Sequence, residues 1–195
     1  MQITLDITGR SPLLHHNIQL SDPDFPIVRQ IKALTDKRKR TEQDRREIER
    51  LEWFGGLILA PNGDGANHPA WKSAAIRKCL IESGTISREG KTVARALAFR
   101  DVYVPLVYDG PGKIEKLWEN ESFRNRASIG IGMKRTMRMR PQFMPWALSI
   151  SGILLEDVID IDTFTRIVER AGLAIGMGDN RVNGYGRFDA KVVAR

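Results

Sequence analysis

The segment from Asp162 to the C-terminus changes period twice, and that change limits the folds open to the chain more than any other feature. Apolar residues first recur at helical spacing (Phe164, Ile167, Val168, Ala171, Ile175). The stretch GLAIGMGDNRVNGYGRF follows, with glycine at 172, 176, 178, 184 and 186, and YGRFDAKVV then reads as a strand. Nucleotide-binding glycine loops run the other way, leaving a strand and opening a helix so that phosphate meets free N–H groups at the helix start. Gly178 is followed by Arg181 where a third glycine would be needed, and no Gly-Lys-Ser/Thr is present. Glycine at a helix-to-strand connection serves first as a left-handed corner. Arg181 and Arg187, set with Asn180 and Asn183 among residues that admit a close backbone, keep a second reading open, a saddle for another chain.

The rest of the pattern supplies the partners of that helix and strand. Ile3, Leu5 and Ile7 alternate with Gln2, Thr4 and Asp6, a half-buried first strand. Helical spacing follows over Phe25–Leu34, and Thr41 with Asp44 reads as a capping box opening a second helix to about Trp53. FGGLIL reads as a short strand or turn, and Pro69 as the first residue of a helix through AWKSAAIRKCLIES, closed by Gly84. RDVYVPLVY and MPWALSISGILLE read as strands, IEKLWENESF as a short helix, and ASIGIGMKRTMRMRPQF alternates strongly. The order fits β-α-β-β-α-β with insertions, an α+β class, ferredoxin-like (RRM-like) antiparallel sheet. The expectation is a single domain, 1–195, with a helical insertion at about 25–54 and an extended basic β-hairpin arm at about 127–142.

Composition narrows the function. Thirty-one basic against 24 acidic side chains give +7, a surplus compatible with a polyanionic partner. The single cysteine, Cys79, excludes an intramolecular disulfide and suits a reducing compartment. No apolar run reaches membrane-span length, so the expected setting is cytoplasmic, with no membrane partner. His15 and His16 have only the distant His68 for company, which gives no metal-ligand spacing, and no nucleophile elbow is present. The expectation is no catalytic residue, no cofactor and no metal.

MKRTMRMR carries the most chemistry. On an extended strand Lys134, Thr136, Arg138 and Arg140 share one face, their cations roughly 7 Å apart, a spacing that suits the phosphates of a single strand. The other reading is an edge strand kept cationic to discourage pairing. PAWKSAAIRK places Lys72 and Arg77 on a helix that either meets phosphate or shows its charges to water. His15, His16 and Asn17 have the groups to stack on or hydrogen-bond a nucleobase.

GRSPLLHHN after the first strand, HPAWKSAAIRKCLIES, and GMGDNRVNGYGRF before the last resemble the matching parts of the RAMP superfamily, ferredoxin-like proteins that include backbone subunits of CRISPR effector complexes. Over nearly the full length the chain also resembles small proteins encoded by bacteriophages and prophages, through SPLLHHN, KRKRTEQDRREIERLEWFGGLIL, LVYDGP and RPQFMPWALSI. The first resemblance implies a palm and an extended thumb gripping single-stranded RNA or DNA, self-assembly into oligomers or filaments, and contacts from Arg10, His15, His16, Asn17, Lys72, Arg77, Arg181 and Arg187. The function expected is therefore a phage-encoded, non-enzymatic single-strand nucleic-acid-binding protein of a bacterial host's cytoplasm. Two alternatives stay open: a phage structural or scaffold subunit bound to an acidic protein, and a metal-dependent nuclease. The ribbon reading further implies that reversing charge at Arg138 and Arg140 abolishes oligonucleotide binding and leaves thermal unfolding nearly unchanged.

Overall fold

The computed structural model describes residues 1–61, 67–131 and 134–194, with the side chains of 61, 128–131, 134 and 135 excepted. The chain forms an α+β fold in two compact units: Met1–Leu13, Leu59–Asp109 and Met144–Arg195 make a core unit, and Leu14–Ile58 with Gly110–Phe143 make an inserted unit. The helical pair and the basic arm, expected as separate insertions into one domain, belong to the same inserted unit.

In chain order the elements are β1 (Gln2–Gly9), β2 (Leu13–Leu14), α1 (Pro26–Thr35), α2 (Glu42–Gly56), β3 (Leu59–Pro61), β4 (Asn67–Lys72) and α3 (Ser73–Ile86). Then come α4 (Gly90–Ala96), β5 (Leu97–Phe99), β6 (Tyr103–Pro105), β7 (Val107–Tyr108) and α5 (Ile114–Glu119). The chain closes with β8 (Arg124–Ile131), β9 (Lys134–Phe143), β10 (Trp146–Leu154), α6 (Ile161–Arg170) and β11 (Phe188–Ala194).

The core unit's main sheet runs β11-β1-β10-β5, with β7 also paired to β10. Its pairings are antiparallel, and with α3 between β1 and β5 and α6 between β10 and β11 the connectivity is ferredoxin-like. The alternation of β1 does what its pattern dictates. Ile3, Leu5 and Ile7 are buried beside Leu148 and Ile150 of β10, and Phe164, Ile167 and Val168 of α6 join the same core. Burying a side chain of this size stabilises the unit by roughly 2–3 kcal/mol each.

Two local expectations fail for packing reasons. Asn67–Lys72 is a strand and α3 begins at Ser73, because buried Ala70 and Trp71 pair with Pro105 and Val104 of β6. Pairing outweighs the proline's preference for a helix start. FGG likewise stays in α2 instead of breaking it. A Cβ at Gly55 would lie 2.6 Å from Leu20 and one at Gly56 3.0 Å from Pro141, so the glycines let the helix approach its neighbours.

The inserted unit is built on that close approach. Helix α2 opens with the expected box, Thr41 Oγ1 accepting from Asp44 N at 3.1 Å and Asp44 Oδ2 accepting from Thr41 N at 2.9 Å. Hydrogen bonds from Lys37 and Thr41 bring the Asp44 carboxyl down to about 2. The hairpin pairs Arg124 with Pro141 through to Ile131 with Lys134, so it begins three residues before the expected arm. Trp53 is wholly buried beneath it, its indole N–H donating to the Phe123 carbonyl at 2.8 Å.

Candidate nucleic-acid interface

The structure places the expected contact residues in two groups, one in each unit. In the core unit the first loop and the glycine corner are laced together by main-chain bonds. Arg10 N donates to Arg187 O at 2.7 Å and Gly186 N to Pro12 O at 2.8 Å. Ser11 Oγ donates to Gly184 O at 2.7 Å and accepts from Arg187 N at 2.8 Å. The corner is required by geometry: a Cβ at Gly186 would lie 1.7 Å from Met177 O, at a φ of +67°. Main-chain bonding therefore sets Arg10 beside Arg187, and the Arg187 guanidinium reaches the Arg181 carbonyl.

Their charges are largely committed there. Arg10 Nε meets Asp189 Oδ2 at 2.5 Å, and Arg181 Nη1 meets Glu82 Oε2 at 3.0 Å. Arg187 Nη2 donates to Arg181 O at 3.3 Å. Cys79, beneath the corner, lies with Sγ 3.2 Å from Gly176 O, and burial pushes its thiol up to about 12, so it is a packed hydrophobe and not a nucleophile.

Arg77 is a clamp. From α3 it donates to the carbonyls of Ala94 and, at 3.1 Å, Leu97, closing the C-terminal end of α4. Lys72 is half-buried, its amine 6.0 Å from the Tyr103 ring centroid. The helix on which the sequence placed both residues begins at Ser73, so Lys72 stands at the end of β4 and only Arg77 is helical.

In the inserted unit the expected first-loop trio separates. His15 is 0% exposed, with its ring 4.7 Å from that of Phe143 and Nδ1 accepting from Ile58 N at 3.2 Å. Burial pulls its pKa down to about 3, so it stays neutral and offers no face to a base. Asn17 is a structural cap, its amide donating to Leu57 O at 3.0 Å and its carbonyl accepting from Gln19 N at 3.3 Å. His16 alone is exposed.

The ribbon is also rearranged. Arg138 Nη1 donates to Glu52 Oε1 at 2.5 Å, with side chains 31% and 5% exposed, and the second carboxylate oxygen accepts from Met139 N at 2.8 Å. Arg140 is buried. Lys134 pairs with Ile131 through the backbone, and its side chain lies outside the described residues. Arg138 and Arg140 thus do not stand as a free row of cations on one face. They line, with His16, an open groove of about 330 Å³ whose apolar wall is Val28 and Ile31 of α1.

Glu52 and Arg138 also wall a second groove, of about 410 Å³, on whose surface Arg40, Arg45 and Arg126 converge. These three arginines are the ones that sequence reading misses. DKRKR and the charged helix look like a solvated face when read locally, and only the fold of α2 against the hairpin sets them around one opening.

Among the described residues no three His, Cys, Asp or Glu side chains converge to hold a metal ion, and no helix is long and apolar enough to cross a membrane.

No protein-family model matches the chain, and no curated protein matches it. Among solved structures it is similar to a chain of one described as a Type IV-B CRISPR complex, with a TM-score of 0.53 and 11% identity over 100% of this chain and 91% of that one. At that identity the likeness is one of fold alone, and it agrees with the α+β architecture traced above.

Proposed function

We propose that the chain is a non-enzymatic, single-strand nucleic-acid-binding subunit, phage-encoded, that assembles with copies of itself. One observation carries this reading. The inserted unit holds seventeen basic and eleven acidic side chains while the larger core unit holds fourteen and thirteen, so six of the seven surplus charges belong to the inserted unit. A surplus confined to one part of a protein concentrates its field, draws in a polyanion and supplies affinity by counterion release. The likeness in fold to a subunit of a CRISPR complex supports the same reading, since complex formation is what that structure's description names.

The test is fluorescence anisotropy with labelled single-stranded DNA and RNA about twenty nucleotides long, long enough to cover more than one binding site of this kind. Binding that weakens steeply as salt rises is expected, with light scattering showing larger assemblies when oligonucleotide is present. No anisotropy change at low salt for either strand type would sink the proposal, and binding of polyglutamate in its place would favour a subunit that meets an acidic protein.

A further inference from the structure

We infer that the groove between the α1–α2 turn and the hairpin is a seat for one nucleotide of a single strand, with Arg40 and Arg45 on its phosphate and Met137 against its base or sugar. The inference rests on the functional reading above and assigns it a site. The groove measures about 410 Å³, within the range of sites that enclose small ligands.

Its four arginines divide into two kinds. Arg126 Nε meets Glu49 Oε1 at 2.8 Å and Arg138 Nη1 meets Glu52 Oε1 at 2.5 Å. Glu49 and Glu52 lie three residues apart on α2, so both pairs are anchored to one helix face. Each bond uses one nitrogen of a planar fork and fixes the guanidinium while its remaining N–H groups are undirected by that carboxylate. Arg40 and Arg45 are different. Both are exposed, and among the described residues no carboxylate lies within ion-pair distance of either.

The lining is therefore net cationic by two charges, the surplus lying on the two arginines that have no acid to neutralise them. A guanidinium fork matches a phosphate oxygen pair, which makes a phosphodiester the natural anion for this edge. The capping box at Thr41 and Asp44 fixes the main chain between the two arginines, so the points from which their side chains leave are set before any ligand arrives.

The apolar side of the groove argues for a nucleotide over a simple anion. Ile48 lines it from α2, and Met137 lines it from β9 while 45% exposed. A thioether beside an aromatic ring makes a favourable contact, and a base reaches it only when unstacked, as in a single strand. An acidic peptide would satisfy the arginines and leave this apolar side without a partner.

The experiment uses the full chain and a labelled oligothymidylate. Arg40→Gln with Arg45→Gln removes the two uncompensated charges, and Arg29→Gln with Arg46→Gln makes the same charge change in the same unit away from the groove. The groove pair is expected to weaken binding about tenfold or more and to lower the slope of log affinity against log salt by about 0.7, the share of the one phosphate that the two arginines hold together on a single strand. The control pair should change the affinity far less. Met137→Trp supplies a readout as the difference from the unaltered protein and its four native tryptophans, since the added fluorescence should be quenched by oligothymidylate and not by polyglutamate. Equal losses in both pairs, or an unquenched indole in a variant that still binds, would overturn the nucleotide seat while leaving nucleic-acid binding by the protein intact. Failure of the unaltered protein to bind would overturn both.

Discussion

The Glu52 carboxylate, almost wholly enclosed, is held against the Arg138 guanidinium, and through its other oxygen it also caps the Met139 main-chain N–H. One acid therefore fixes a cation and ties α2 to β9.

Removing the arginine should hurt the fold more than neutralising the acid. In Arg138→Ala the carboxylate stays buried without its counterion, a situation that costs about 3 kcal/mol or more. In Glu52→Gln a carbonyl oxygen remains to accept from Met139, while Arg138, one-third exposed, turns to water, so a loss nearer 1–2 kcal/mol is expected. Urea unfolding of the two variants decides the order. Charge reversal at Arg138 and Arg140, which the ribbon reading treats as silent for stability, should lower the unfolding midpoint strongly, because it sets a second carboxylate against Glu52. A loss of binding in that double variant would thus report unfolding as much as recognition.

Where the chain was legible, the cause of structure was local. The alternation of Ile3, Leu5 and Ile7 and the helical spacing from Phe164 to Ala171 bury the faces that their periods specify. Thr41 and Asp44 make their box from atoms three residues apart. The misreadings all involve partners distant in sequence. Pro69 lies in a strand because of residues 104 and 105, and FGG stays helical because of Leu20 and Pro141. His15 loses its exposed role to Phe143 and Ile58. The charge surplus of the inserted unit was hidden for the same reason, since its two segments are separated by fifty-one residues of the core unit and meet only in the fold.

His15 gives a pH signature. In the unfolded chain the ring takes a proton near its ordinary 6.5, whereas burial in the folded state delays this to about 3. Below 6.5 the unfolded state therefore binds more protons, so the stability gained from a neutral ring is complete above that pH and falls on acidification toward 3. The loss should approach about 1.4 kcal/mol per pH unit once well below 6.5. His15→Gln keeps an acceptor for Ile58 N and removes the titration. Unfolding free energies of the two proteins between neutrality and mild acid should converge as pH falls. Parallel curves would show that the ring is not held neutral.

The glycine corner makes a sharper prediction, because two of its glycines share a positive φ in different surroundings. Gly184 has φ of +87° and Gly186 φ of +67°, so alanine at either bears the left-handed penalty of about 1–2 kcal/mol. At Gly184 nothing lies within 4 Å of the new Cβ, and that penalty is the whole cost. At Gly186 the new Cβ would fall 1.7 Å from Met177 O, the residue whose N–H donates back to the Gly186 carbonyl at 2.9 Å. Relief requires the Met177 peptide to move, which breaks that bond and loosens the Pro12 carbonyl from Gly186 N, so the first loop and the last strand lose their shared clasp. Gly186→Ala should therefore destabilise by at least twice as much as Gly184→Ala in urea unfolding, with earlier amide exchange at Arg10 and Arg187. If the two substitutions cost the same, the corner is merely a turn that tolerates glycine, and the lacing between the first loop and the glycine segment contributes nothing to holding the core unit closed.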